Sequence, residues 1–163
     1  MKKIAKFEKV SLSQFKEAWK GENTDSVYDQ IKLPRRATVG SAGYDFYAPE
    51  RFSLAPGETI KVPTGIRAKI DEGWVLKIYP RSGLGFKFRL QLDNTVGIID
   101  SDYYYSDNEG HIMIKMTNNS LEGKTVTVEK GTAFAQGIFL EYGITVDDDA
   151  DGIRQGGFGS TTG

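Results

Sequence analysis

The sequence predicts an all-β domain of sandwich or jelly-roll type, with one short N-terminal helix and a flexible, glycine-rich C-terminal arm. Three observations carry this prediction. Ile60, Val62, Thr64, Ile66, Ala68 and Ile70 alternate strictly with Lys61, Pro63, Gly65, Arg67 and Lys69, the period-2 signature of a strand with one buried face. Shorter runs of the same kind recur at residues 75–79, 112–117, 125–128 and 133–140, divided by Gly, Pro, Asn and Asp clusters. Many short strands with frequent turns suit a sandwich or jelly roll. Residues 147–163 are acidic and then glycine-rich, with few side chains able to join a core.

The helix is predicted from a Ser-x-x-Gln capping box at Ser11 and Gln14, with Val10 and Phe15 spaced as a hydrophobic staple. Leu12, Phe15 and Trp19 then share a face, and Gly21 is a stop signal. Residues 21–25 and Pro34-Arg35-Arg36 read as loop, with residues 27–33 as a short strand between them. The chain is expected to be a single domain over 1–163, divided into an N-terminal helix and strand segment (1–41), a β core (42–146) and the arm (147–163).

Composition narrows the function. A chain of 163 residues can bury roughly 68–70% of the surface it exposes when unfolded, so a core without staples is feasible. It has no cysteine, 21 basic and 22 acidic residues. That balance lacks the long-range field of a dedicated DNA or RNA binder, so any phosphate must be held locally. No apolar run reaches the roughly 18 residues of a membrane span. The lysine-rich start is followed by no apolar stretch, so no export signal is read and a cytoplasmic setting is expected. The lone histidine, His111, and the absence of cysteine argue against a zinc hydrolase or zinc deaminase. For His111 itself the reading is an exposed or satisfied residue at a strand edge.

Five segments are too polar or too glycine-rich for their surroundings. They are Ala42-Gly43-Tyr44-Asp45; Pro80-Arg81-Ser82-Gly83-Leu84-Gly85; Asn94-Thr95-Val96-Gly97-Ile98-Ile99-Asp100-Ser101-Asp102-Tyr103; Gly131-Thr132-Ala133-Phe134-Ala135-Gln136; and Arg154-Gln155-Gly156-Gly157-Phe158-Gly159-Ser160-Thr161. Arg81, Ser82 and Gly83 offer a guanidinium, a hydroxyl and backbone N–H groups at one turn, a set that suits phosphate and also suits an ordinary tight turn. Asp100 follows the apolar pair Ile98-Ile99, at the end of a buried strand where neighbours can orient a general base. Asp102, two residues on and on the same side of the strand, reads as a turn aspartate. Tyr103 is open between core packing and a platform for a sugar. Gln136 falls on the stripe of Phe134, Ile138 and Leu140, where a buried amide needs partners. Asp45 is compatible with a plain turn role.

Taken together and in this order, the five segments, spanning residues 42–161, resemble the five motifs of the trimeric dUTP diphosphatases (dUTPases). The resemblance implies a jelly-roll subunit of the dUTPase-like β-clip kind and a homotrimer whose active sites are shared between subunits. It also implies Mg²⁺-dependent hydrolysis of dUTP to dUMP and pyrophosphate. Within it, Asp100 activates the attacking water and Gln136 helps to hold it. Arg81, Ser82 and Gly83 meet the triphosphate, and the hairpin from Asn94 to Gly97 reads uracil. The ring of Tyr103 excludes a 2′-hydroxyl, while Phe158 stacks on the base and Arg154, Gly159, Ser160 and Thr161 close on the phosphates. No direct protein ligand to the metal is implied, only Asp45 acting through water. No nucleic acid or membrane partner is implied.

Two features depart from the common pattern: residues 104–109 are inserted before Gly110, and the arm has one residue fewer between Arg154 and Phe158. The alternatives are a dCTP deaminase of the related fold and a nucleotide-sensing regulatory protein that uses the insertion as its contact.

Overall fold

The computed structural model describes residues 1–157. In chain order its elements are β1 (Ala5–Lys9), α1 (Leu12–Ala18), α2 (Thr24–Asp29), β2 (Arg35–Arg36), β3 (Tyr44–Tyr47), β4 (Phe52–Leu54), β5 (Thr59–Pro63), β6 (Ile66–Ile70), β7 (Trp74–Pro80), α3 (Ser82–Phe88), β8 (Leu90–Leu92), β9 (Gly97–Ile99), a 3₁₀ turn (Ser101–Tyr105), β10 (Met113–Asn118), β11 (Val126–Val128) and β12 (Ala133–Glu141). Almost all pairing is between strands distant in sequence. A five-stranded sheet runs β2-β3-β12-β7-β9, β5-β10-β8 form a second sheet, and β1-β6 and β4-β11 pair separately. The described pairings are antiparallel. The sheets enclose one core containing Phe46, Leu76, Ile78, Ile99, Ile114 and Phe134, all at most 1% exposed. This is the predicted jelly-roll class, with more helix than the sequence suggested. Among the described residues no helix is long and apolar enough to cross a membrane.

The long alternating run is two strands rather than one. Thr64 and Gly65 break it, with Gly65 at φ +72°, a left-handed conformation that costs glycine nothing. β5 then pairs with β10 and β6 with β1.

The first helix forms where predicted, and Ser11 Oγ accepts from the Gln14 N–H at 3.2 Å. The capping box is only half closed, however. The Ser11 N–H donates to Glu109 at 2.8 Å, and the Gln14 amide is directed to His111. The strand expected over 27–33 is instead helix α2. Val27 enters a small core with Val10 and Phe15, and Tyr28 donates to Val10 O at 2.6 Å, so tertiary contacts override the extended preference of Val and Tyr.

Candidate active site

One group of candidate residues gathers where β3, β12 and β7 run side by side. Gln136 is opposite Asp45 on one neighbour and Tyr79 on the other, so the three side chains share a sheet face. Gln136 does not continue the stripe of Phe134. The register shifts between Ala133 and Ala135, and this bulge turns both Phe134 and Ala135 into the core and leaves Gln136 on the opposite face. Its amide donates to Pro80 O at 3.1 Å. Its Oε1 lies 2.5 Å from where a Cβ on residue 43 would stand, so Gly43 leaves the room that this amide occupies. Arg81 forms an ion pair with Asp45, whose side chain is 14% exposed.

The predicted turn after Pro80 is the start of a helix. Arg81 is the N-cap of α3 and its carbonyl accepts from the N–H groups of Leu84 and Gly85. Ser82 and Gly83 are exposed in its first turn, where N–H groups have no intrahelical acceptor.

A second group forms beyond β9. Asp100 caps the Ser101–Tyr105 turn, so Asp102 and Tyr103 belong to a 3₁₀ helix rather than to an extended strand. β9 is covered on one face only, since Ile98 is 45% exposed. The Arg154 guanidinium, 15% exposed, spans both carboxylates: Nη2 is 2.6 Å from Asp100 and Nε 2.7 Å from Asp102. Tyr103 is buried and donates to His111 O at 2.6 Å. Burial pushes its phenol pKa up, against the lowering effects of the Asn108 hydrogen bond and the Arg154 charge.

Between the groups lies the segment from Asn94 to Gly97. It is a turn that crosses between sheets and not a paired hairpin, because β8 pairs with β10 while β9 pairs with β7. Asn94 is exposed, and Thr95 is held at φ +67°. A Cβ on Gly97 would stand 3.0 Å from Ile78 Cβ, so only glycine fits without displacing β7. A cleft of about 370 Å³ opens here, lined by Asn94, Gly97, Leu92, Ile99 and Ile114, a size and apolarity suited to a small planar ring.

The two groups do not meet within one chain. β7 pairs antiparallel with β9 and sets Leu76 opposite Ile99, so Arg81 is at least five positions further along β7 from Asp100. That amounts to ~17 Å. The first group is internally neutralised, Arg81 by Asp45, whereas the second sets one guanidinium, Arg154, against the two carboxylates of Asp100 and Asp102. Phe158, Gly159, Ser160 and Thr161 lie outside the described residues. Among the described residues no three His, Cys, Asp or Glu side chains cluster as a metal site. The available hard oxygen donors are Asp45 alone and the Asp100 and Asp102 pair.

His111 is fully buried and satisfied. The Gly65 N–H donates to Nε2 at 2.8 Å, and Nδ1 lies 2.9 Å from Gln14 Oε1. Burial lowers its pKa to about 4, so the ring is neutral and engaged, unavailable as a base for a serine. Of the inserted residues 104–109, Tyr104, Ser106, Asn108 and Glu109 pack against the domain, while Tyr105 and Asp107 are exposed. Tyr104 donates to Glu8 at 2.6 Å and lies under the Arg67 guanidinium at 3.6 Å. Burial opposes ionisation of Glu109, but two hydrogen bonds from Ser11 outweigh it and hold the carboxyl below its usual range. Ser106, Asn108 and Glu109 were not among the candidate residues read from the sequence. The only signal was the departure of this loop from the common pattern.

Comparison with known proteins identifies the family and the fold. The sequence model of the dUTPase family matches residues 29–162. The chain is 45% identical over 135 residues to the deoxyuridine 5′-triphosphate nucleotidohydrolase of Lactococcus lactis subsp. lactis, covering 80% of this chain and 88% of that protein. It is 40% identical to the enzyme of the same name from Enterobacter sp., covering 82% and 88%. The crystal structure of dUTPase from Streptococcus mutans superposes with a TM-score of 0.65 at 36% identity, over 87% of this chain and 98% of that one. A dUTPase mutant from phage phi11 of S. aureus, described as coordinating a structural Mg(II) ion, shares the fold at 20% identity and a TM-score of 0.64, over 92% and 98%.

Proposed function

The chain belongs to the dUTPase family, and on that footing we propose that it hydrolyses dUTP to dUMP and pyrophosphate at a site assembled between copies. Asp100 takes a proton from a water whose oxygen forms the new bond to the α-phosphorus. The bond to the bridging oxygen of the β-phosphate breaks, and pyrophosphate leaves with that electron pair.

The observation that carries this reading is the meeting of Arg154 with Asp100. It brings the arm, with its phosphate-directed residues, to the carboxylate that has to work beside the α-phosphate. In the same reading Arg81, Ser82 and Gly83 receive the triphosphate, and Gln136 positions the water. Asn94 and Gly97 line the uracil cleft, and Tyr103 carries the sugar. Phe158, Gly159, Ser160 and Thr161 continue the arm over the base and phosphates.

The ~17 Å between Arg81 and Asp100 along the sheet supports a homotrimer in which one copy supplies the phosphate-binding turn and another the base. Mg²⁺ on the triphosphate would neutralise and orient it. In this reading Asp45 would hold such an ion through water, as suits a cation that sheds its hydration reluctantly. A cytoplasmic setting fits this chemistry.

The test is product release from dUTP, UTP, dTTP and dCTP, with and without Mg²⁺. Pyrophosphate is expected from dUTP in the presence of the metal and from none of the others. Ammonia from dCTP without pyrophosphate from dUTP would overturn the reading in favour of a deaminase.

A further inference from the structure

We propose that Asn108, in the inserted loop, is a positioning residue that latches the C-terminal arm to the Tyr103 platform. Its side chain is held at both ends. Nδ2 donates to the Tyr103 hydroxyl at 2.9 Å, and Oδ1 accepts from the Gly110 N–H at 3.2 Å. The Asn108 carbonyl accepts from the His111 N–H at 3.1 Å, while Tyr103 donates to the His111 carbonyl. The amide and the phenol thus fix each other.

The same loop receives the arm. The Asp107 N–H donates to Gln155 O at 3.1 Å, and Ser106 Oγ donates to Gly156 O at 3.3 Å. A Cβ on Gly157 would stand 3.4 Å from Asn108 Nδ2 and 3.6 Å from the Tyr103 ring. Three successive residues of the loop therefore face three successive residues of the arm, and Asn108 bonds the platform while standing beside Gly157 of the arm.

The loop is fit for this because it rests on a rigid base. Glu109 is bound by Ser11, Tyr104 by Glu8 and Arg67. Ser11 and Glu8 belong to residues 1–28, which lie outside the family match. The N-terminal segment, outside the family match, and the insertion thus brace one another and together present the seat for the arm. Seating the arm in this way brings Arg154 to Asp100 and packs Gly157 beside the sugar platform, so arm closure and platform position are coupled through one amide.

Trypsin cleavage after Arg154 measures the seat directly, because residues 155–163 contain no Lys or Arg and leave as one peptide. In the full-length protein, Ser106→Ala should release this peptide about two- to tenfold faster, the equivalent of one hydrogen bond. Asn108→Ala, which frees the platform beside Gly157, should also release it faster, with thermal midpoints monitored in parallel. Ser106→Ala leaves the Tyr103 contacts intact and carries the test if Asn108→Ala does not fold. Release at the wild-type rate in folded variants overturns the latch.

The kinetic consequence rests on the arm acting as a lid, as proposed above. Asn108→Ala and Arg154→Ala should be non-additive in kcat/KM for dUTP, and Asn108→Ala should raise the ratio of UTP to dUTP turnover. Additive losses overturn the coupling. Undiminished turnover in Arg154→Ala would overturn the lid reading, while faster peptide release from Asn108→Ala would still support the latch.

Discussion

Arg154 Nη2 lies 2.6 Å from Asp100 Oδ2, joining positions 54 residues apart in the chain. The pair places a guanidinium on the carboxylate proposed as the base, so substrate has to compete for both partners. Phosphate oxygens can draw the cation away, and the carboxylate is then left beside water. Replacing Asp100 with Asn keeps the size and a hydrogen-bond acceptor but removes the proton acceptor. Turnover of dUTP should fall about 10²–10⁴-fold, with binding of a non-hydrolysable analogue retained. Steady-state kinetics and calorimetric titration check this, and near-wild-type turnover would remove Asp100 from the mechanism.

Among the described residues, Arg154 to Gly157 belong to neither core cluster, so ending the chain at residue 153 should cripple turnover while leaving the fold intact. The loss in stability should stay within about 1 kcal/mol, the worth of partly exposed ion pairs. Urea unfolding and activity measured on the same preparation separate the two effects. An unfolded product would show that the arm is structural.

His111 provides a test by pH. Its folded pKa, about 4, is below the ordinary value near 6.5, so between those values the unfolded chain binds more protons and stability falls as the pH falls. The full loss is about 3 kcal/mol, at a limiting slope of about 1.4 kcal/mol per pH unit. Glu109 acts in the same direction below the ordinary carboxyl range, since its folded pKa is also depressed. The protein has one histidine, so its imidazole resonance is unambiguous in NMR. Titration at the ordinary value would contradict the buried, neutral ring.

Gly110 stands at φ +70°, and a Cβ there would be 2.7 Å from both Tyr103 O and Tyr104 Cα. Gly110→Ala therefore meets backbone on both counts and should cost about 2 kcal/mol or more. Because the clash falls on Tyr103, discrimination between dUTP and UTP should weaken alongside stability. A thermal melt and the two turnover rates test it.

How much of this was legible in the sequence varied with the range of the determining contacts. Strands β7, β10, β11 and β12 followed from alternation, and α1 from the Ser11 cap, since both are written within a few residues. Arg35–Arg36, read as loop, is instead the edge strand β2, set by its pairing with β3. Helix α2 was hidden because Val27 and Tyr28 favour extended chain until Phe15 and Val10 receive them. Helix α3 carries Gly83 and Gly85, each unfavourable by about 1 kcal/mol relative to Ala in a helix, and local preference points to a turn. The bulge at Phe134 defeated period-2 counting and misplaced Gln136. The ordered motifs supplied the candidate site residues, but the Gln14 bond to His111 and the Ser11 bonds to Glu109 span 97 and 98 positions. No local pattern announces such pairs.

A strand's length between guanidinium 81 and carboxylate 100 makes assembly itself an ingredient of turnover for a site built between copies. On the proposed shared site, dilution should lower turnover without unfolding the protein. Two inactive parents, Asp100→Asn and Arg81→Ala, should recover partial activity when dissociated and reassociated together, because some sites then draw a sound residue from each.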